Sequence, residues 1–204
     1  MWSIYNHPKL YDWYMARRLD WIEAYRRTVF METVSRFITD RDRVLDVACG
    51  TGVNCMLIAE RYPDARVTGV DANETVIEFA RKAAGEAGAC NVSFVARDYT
   101  CIGRADLQES EIDVVVCTLG LSVIPDWEKA VEHTHALLAP GGYFVVLDLV
   151  LDRDSIRRRL THLWVNALFA AYHDRPILQK LRASFVERHF HFKNPIFTFV
   201  GQKA

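Results

Sequence analysis

From residue 43 onward, short apolar runs alternate with longer segments whose apolar positions recur with helical spacing. Runs at 43–47, 66–70, 92–96, 112–118 and 143–149 have strand length and are rich in Val, Ile, Leu or Phe, as strands buried on both faces are. The intervening segments 52–61, 73–87 and 127–138 read as helices. In the last of these, Trp127, Ala130, Val131, Thr134, Leu137 and Leu138 share one side, Asp126 is placed as N-cap, and Pro140-Gly141-Gly142 stops the helix. This alternation predicts an α/β, doubly wound, mostly parallel sheet with helices on both faces. Two further extended stretches, 185–192 and 195–200, are separated by Lys193 and Asn194, so an antiparallel hairpin is expected to close the sheet at about seven strands.

No repeat, low-complexity tract or flexible linker divides the chain, so a single domain is expected. Its parts are a helical lid over 1–40, a core over 41–150, a helical insertion over 151–182 and a terminal hairpin over 183–204. At 204 residues such a domain buries an adequate core without disulfides or structural metal. A net charge of -1 supplies no cationic field for nucleic acid, which makes nucleic acid a poor partner. Cys49, Cys55, Cys90, Cys101 and Cys117 form no Cys-x-x-Cys pair and sit in apolar or Gly-rich surroundings. They are expected to be reduced, buried thiols of a cytoplasmic protein. The first residues lack the pattern of a secretory signal, and the most apolar helical stretch, 162–172, is too short to span a bilayer.

In an open parallel sheet, ligands sit beyond the carboxyl ends of the strands. After the first strand comes Ala48-Cys49-Gly50-Thr51-Gly52, small residues that let a ligand approach the backbone at a helix start. After the second comes Asp71, a carboxylate able to accept hydrogen bonds from two vicinal sugar hydroxyls. The third ends at Arg97-Asp98-Tyr99, which offers an acceptor for a base amine and an aromatic wall beside it. The fourth ends in Cys117-Thr118-Leu119-Gly120, a small and mostly apolar lip.

Together, Val44-Leu45-Asp46-Val47-Ala48-Cys49-Gly50-Thr51-Gly52, Gly69-Val70-Asp71, Ala96-Arg97-Asp98-Tyr99 and Leu137-Leu138-Ala139-Pro140-Gly141-Gly142 resemble the class I S-adenosylmethionine-dependent methyltransferases. The likeness runs from about residue 43 to 148. It implies a Rossmann-like fold, the cofactor S-adenosylmethionine and its product S-adenosylhomocysteine. By resemblance Asp71, with Ala72 beside it, holds the ribose, Gly50 and Gly52 underlie the methionyl part, and Asp98 with Tyr99 meets the adenine. Asp46, Thr118 and Leu119 complete the expected cofactor surroundings. Ala48 stands where many members have glycine, and little consequence is expected from so small a replacement. A nicotinamide-binding Rossmann domain shares the Gly-x-Gly turn, but Cys55 occupies the place of its third glycine.

The segment 119–127 and Tyr25-Arg26 are similar to N-methyltransferases of phospholipid and betaine-lipid synthesis and to relatives of the ubiquinone methyltransferases. That second, shorter likeness implies a small-molecule or lipid-headgroup acceptor, with nitrogen slightly preferred. An O- or C-methyltransferase of a natural product or quinone is the alternative, and a non-catalytic cofactor-binding subunit is the reading from another class. Aromatic and Arg residues mix in the leading segment; they form either a membrane-interface helix or a lid, and the lid is favoured, with Tyr11, Tyr14 and Tyr25 closing over the cofactor. In the insertion, His162, Tyr172 and His173 are the candidate catalytic residues lining the acceptor pocket. His133 and His135 are expected on a solvated helix face, and His189 and His191 on one exposed face of a strand. No metal-ligand set is evident.

Overall fold

The computed structural model describes residues 13, 17, 24–107, 111–150 and 175–204. Much of the leading segment and most of the insertion lie outside them. So do Tyr11, Tyr14, His162, Tyr172 and His173.

In chain order, a π-helical turn at Arg26–Phe30 leads into α1 (Met31–Val34) and β1 (Arg43–Val47). Then come α2 (Val53–Arg61), β2 (Arg66–Asp71), α3 (Glu74–Ala87) and β3 (Val92–Ala96). A 3-10 turn (Tyr99–Cys101) and α4 (Arg104–Leu107) precede β4 (Ile112–Thr118), α5 (Trp127–Leu137) and β5 (Leu138–Leu149). The described chain closes with α6 (Ile177–Ser184), β6 (Val186–Lys193) and β7 (Ile196–Gln202). The strands form one sheet in the order β3-β2-β1-β4-β5-β7-β6. β3, β2, β1, β4 and β5 are parallel, while β7 runs antiparallel to both β5 and β6. The expected hairpin is present, with its second strand inserted beside β5 and its first left at the edge.

Alternate residues of each buried strand supply two cores, one per face, as the period-2 pleat requires. Val44, Val116, Val145 and Leu147 pack with Phe30, Val34, Ile58 and Ile77 on the face covered by α1, α2 and α3. Leu45, Val115, Phe144 and Phe199 pack with Val131 and Leu181 on the face covered by α5 and α6. Helix ends follow local chemistry. The Asn73 side chain accepts the Thr75 N–H to start α3, and Gly88 at φ 67 ends it, with the Ala89 N–H returning to the Ala84 carbonyl. Asp126 stands at the N-cap of α5 without a side-chain cap bond. β5 begins at Leu138 rather than at 143, because Leu138 pairs with Ile112 before a register shift carries the strand through Pro140-Gly141-Gly142.

At the amino-terminal ends of the central strands, the Arg43 backbone N–H, Nε and Nη2 all donate to the Asp113 carboxylate at 2.8–2.9 Å. This clamp fastens β1 to β4 opposite the edge where ligands bind. The Arg43 guanidinium holds the Asp113 carboxyl below its ordinary 3.8. Its stabilisation is therefore present above the ordinary value and is lost as pH falls through the depressed one. Asp113→Asn should lower unfolding stability by about 1 kcal/mol at pH 7 and by much less near pH 2, measured by urea titration at both pH values. An equal loss at both would show that charge is not what the clamp contributes.

Candidate cofactor and acceptor site

Beyond β1 the chain turns through three residues in the left-handed region: Ala48 (φ 54), Gly50 (φ 55) and Gly52 (φ 80). Gly50 faces open space, since a Cβ there would meet nothing within 4 Å. At Gly52 a Cβ would lie 2.8 Å from the Phe94 ring and 3.1 Å from Ala80. The two glycines thus serve different ends: Gly50 leaves room above the turn, and Gly52 lets α2 sit down on β3 and α3. Ala48 is not a neutral replacement for glycine. It adopts a backbone that costs an L-residue about 1 kcal/mol, and its Cβ is 2.9 Å from where a Cβ on Gly120 would stand.

Asp71, at the end of β2, receives the Gly50 N–H at 3.0 Å on one oxygen and the Asn73 N–H at 2.9 Å on the other. Each oxygen keeps acceptor capacity, which is what a pair of vicinal hydroxyls needs. Burial pushes the Asp71 carboxyl above its ordinary value, opposed by the N–H groups of Asn73, Gly50 and Ala72. Asp46 is wholly buried beneath the turn, where one carboxylate oxygen lies 3.3 Å from the Cys55 thiol. It supports the turn from below.

Asp98 is exposed at the end of β3, with one oxygen taken by the Thr100 N–H at 2.8 Å and its hydroxyl at 2.9 Å. The aromatic wall expected at Tyr99 is absent from this edge. The 3-10 turn rotates the Tyr99 ring into the core under α5, where its hydroxyl pairs with that of Thr134 at 2.8 Å. His133 packs edge-on against Tyr99 with ring centroids 5.2 Å apart, and burial lowers its pKa. His135 lies 5.4 Å from the Phe185 ring. Neither is the freely solvated side chain expected. Of the five cysteines, Cys49, Cys55 and Cys117 are buried as expected; Cys90 and Cys101 are exposed, and all five are free thiols. Among the described residues no group of three metal-binding side chains occurs.

The lip after β4 is built with equal care. Leu119 takes a left-handed backbone (φ 55) and donates its N–H to the Leu147 carbonyl at 2.7 Å. Gly120 has no room for a side chain: a Cβ would be 2.6 Å from the Cys117 sulfur. Asp148, buried at the end of β5, accepts the Ser122 N–H at 3.0 Å and the Leu149 N–H at 2.8 Å. Arg175 donates to the Leu121, Ile124 and Pro125 carbonyls. Asn54, in the first turn of α2, donates from Nδ2 to the Thr118 hydroxyl at 2.9 Å and so ties the cofactor turn to the lip. Sequence reasoning missed Asn54, Ser122, Asp148 and Arg175. Only Asp148 left a signal, as a lone charge in the apolar run 143–150.

Tyr25 stands elsewhere than at the glycine turn. It is buried on the α1–α2 face with its ring stacked on His191 of β6 at 6.2 Å. A cavity of about 750 Å³ lies between α2 and α3, lined by Met56, Leu57, Phe79, Ala83 and Cys90 among others. Neither Gly50, Asp71 nor Thr118 lines it. Thr51 of the glycine turn and Val53 at the start of α2 do line it.

The seven-stranded sheet in the order 3-2-1-4-5-7-6, with an antiparallel β7 and a glycine turn facing an acidic β2 end, defines the class I S-adenosylmethionine-dependent methyltransferase fold. The methyltransferase domain family matches residues 38–183, and the chain belongs to that family. The chain is 36% identical over 106 residues to the demethylmenaquinone methyltransferase of Thermus thermophilus, covering 52% of this chain and 46% of that one. It is 30% identical over 160 residues to the trans-aconitate 2-methyltransferase of Variovorax paradoxus, covering 74% and 57%. It thus spans about half the length of these curated relatives. An O-methyltransferase family protein from Burkholderia thailandensis superposes with a TM-score of 0.72 at 19% identity, over 98% of this chain and 61% of that one. The residues at the strand ends fit the family's cofactor: Gly50 leaves the space open, and Asp71 presents a desolvated carboxylate with unused acceptor capacity.

Two outcomes follow from this geometry. Asp71→Asn should weaken S-adenosylhomocysteine binding by about 10-fold to 100-fold in calorimetric titration, the worth of charge-assisted hydrogen bonds; unchanged affinity would remove Asp71 from the site. Burial raises the Asp148 carboxyl from 3.8 to about 6. The folded state therefore holds a proton that the unfolded state releases, and stability falls as pH rises between these values. Moving a carboxyl that far corresponds to about 3 kcal/mol. Relative to Asp148→Asn, the unmodified chain should lose stability by up to that amount between pH 4 and pH 7; parallel stability curves would contradict the buried carboxyl.

Proposed function

We propose that the chain transfers a methyl group from S-adenosylmethionine to an amine nitrogen of a small metabolite or lipid headgroup. When bound, S-adenosylmethionine supplies a methyl group on a sulfonium that carries its own leaving group. The chain's residues then have to bind, orient and exclude water rather than form covalent intermediates. In this reading Asp71 holds the ribose hydroxyls, Gly50 admits the amino-acid tail, and Thr118, Leu119 and Gly120 border the methyl group.

The observation that carries the choice of nucleophile is the chemistry of that lip. Thr118, Leu119 and Gly120 themselves offer no acid or base, and the Asp148 carboxyl is wholly buried, bonded to the Ser122 and Leu149 N–H groups. Among the described residues this lip presents no base, which suits a nucleophile that needs none, such as an unprotonated amine. A second reading, transfer to carbon or oxygen of a quinol-type or carboxylate acceptor, is favoured by the relatives, whose names specify demethylmenaquinone and trans-aconitate.

Incubation with methyl-labelled S-adenosylmethionine and fractionated cell extract distinguishes these readings. Label is expected in products retained on a cation exchanger, in either the aqueous or the lipid fraction. Label confined to neutral, solvent-extractable products would transfer the assignment to a quinol-type acceptor, and label in no fraction would leave a cofactor-binding protein without transferase activity.

A further inference from the structure

The turn that follows β4 can be accounted for one backbone group at a time. Val123 and Ile124 both donate their N–H groups to the Gly120 carbonyl at 2.9 Å. The Gly120 and Leu121 N–H groups are directed at the Cys117 sulfur, and the Ser122 N–H reaches the Asp148 carboxyl at 3.0 Å. On the carbonyl side, Leu119 accepts the Ser122 hydroxyl at 3.4 Å, while Leu121, Ile124 and Pro125 are all held by the Arg175 guanidinium. The N–H end of the turn thus meets a carboxyl group and its carbonyl end meets a cation, the arrangement that aligned peptide dipoles favour.

Arg175 is hard to replace in this arrangement. A planar guanidinium reaches several carbonyls at once, which an ammonium does less well and an apolar side chain not at all. Leu121 is only 1% exposed, so its carbonyl has little access to water if Arg175 is removed. The Arg175 charge also acts on Asp148, opposing the burial that pushes this carboxyl up to about 6. From β4 the titratable group beside Asp148 is the Cys117 thiol, which burial raises and keeps neutral, and β7 places only Phe197 opposite it. Thr118 and Leu119 run directly into this turn, and Leu119 holds a left-handed backbone that depends on the bonds at both its N–H and its carbonyl.

We infer that Arg175 is a positioning residue for methyl transfer: with the Asp148 carboxylate it clamps the turn 120–125 from both ends, and so fixes Thr118 and Leu119 beside the methyl group. The inference rests on the reading above that this lip borders the methyl group, and adds the residue that holds it there. Arg175 touches neither cofactor nor acceptor in this role; it acts through the carbonyls of Leu121, Ile124 and Pro125. The clamp is complete when Asp148 is ionised. Below about pH 6 the carboxyl takes up a proton, its hold on the Ser122 N–H weakens and its attraction to Arg175 is lost, so the lip loosens on the acid side.

The test compares the full chain with Arg175→Met and Arg175→Lys by amide hydrogen exchange, by S-adenosylhomocysteine titration and by transfer of label from methyl-labelled S-adenosylmethionine to cell extract. In Arg175→Met the amides of Ser122, Val123 and Ile124 should exchange roughly 10-fold to 100-fold faster, with those of β1 unchanged and S-adenosylhomocysteine affinity within about 2-fold. Label transfer at saturating cofactor should fall by about 10-fold or more, and Arg175→Lys, which keeps the charge, should recover part of both effects. In the unmodified chain, protection of the Ser122 amide, corrected for the intrinsic rate, should drop between pH 7.5 and pH 5, as marked by roughly the pH at which Asp148 protonates, and Asp148→Asn should abolish that drop. Unchanged exchange of the turn in Arg175→Met overturns the inference. Faster exchange with undiminished transfer overturns it too, because Arg175 would then be structural alone. If the unmodified chain binds S-adenosylhomocysteine but transfers no label, or fails to bind it, the underlying reading of the lip has failed, and the inference falls with it by a result distinct from the other two.

Discussion

The hydrogen bond from the Gly50 N–H to the Asp71 carboxylate is the contact on which the rest of the site depends. It joins the turn after β1 to the end of β2, and it holds that turn in a left-handed backbone that only glycine adopts without strain. With the turn fixed, the space above Gly50 remains open, and the same carboxylate stays directed at whatever occupies it. Asp46 and Cys55 below, and Phe94 beneath Gly52, fill the underside so that the turn cannot collapse into the sheet.

The opposite wall of the crevice is set by a different means. The lip after β4 is held by its backbone, through Leu119 to Leu147, Ser122 to Asp148, and three carbonyls on Arg175. Placing a carboxylate at the buried end of β5 is costly, and its raised pKa reports that cost. In return the lip is fixed without occupying the side chains of Thr118 and Leu119, apart from the single bond from Asn54. The two walls thus meet through Asn54 and Thr118, and through the close approach of Ala48 to Gly120.

Much of this was legible in the sequence because it is local. The parallel strands are Val-rich runs whose limits are set by turn residues, and three of the five coincide with the expected spans, 43–47, 92–96 and 112–118. Asp71 is found at the end of a strand beside Gly69 and Val70, as any acidic strand end would be read. Tyr99 was misread because Asp98 caps a 3-10 turn, and that turn rotates the next ring inward. Tyr25 looked like one aromatic among several, and only tertiary packing places it on His191.

A crystal structure of the complex with S-adenosylhomocysteine tests the central claim most directly. The account predicts the ribose hydroxyls within hydrogen-bond distance of both Asp71 carboxylate oxygens, and the amino-acid tail over Gly50. Ligand density in the cavity between α2 and α3, with the space above Gly50 filled only by solvent, would contradict it.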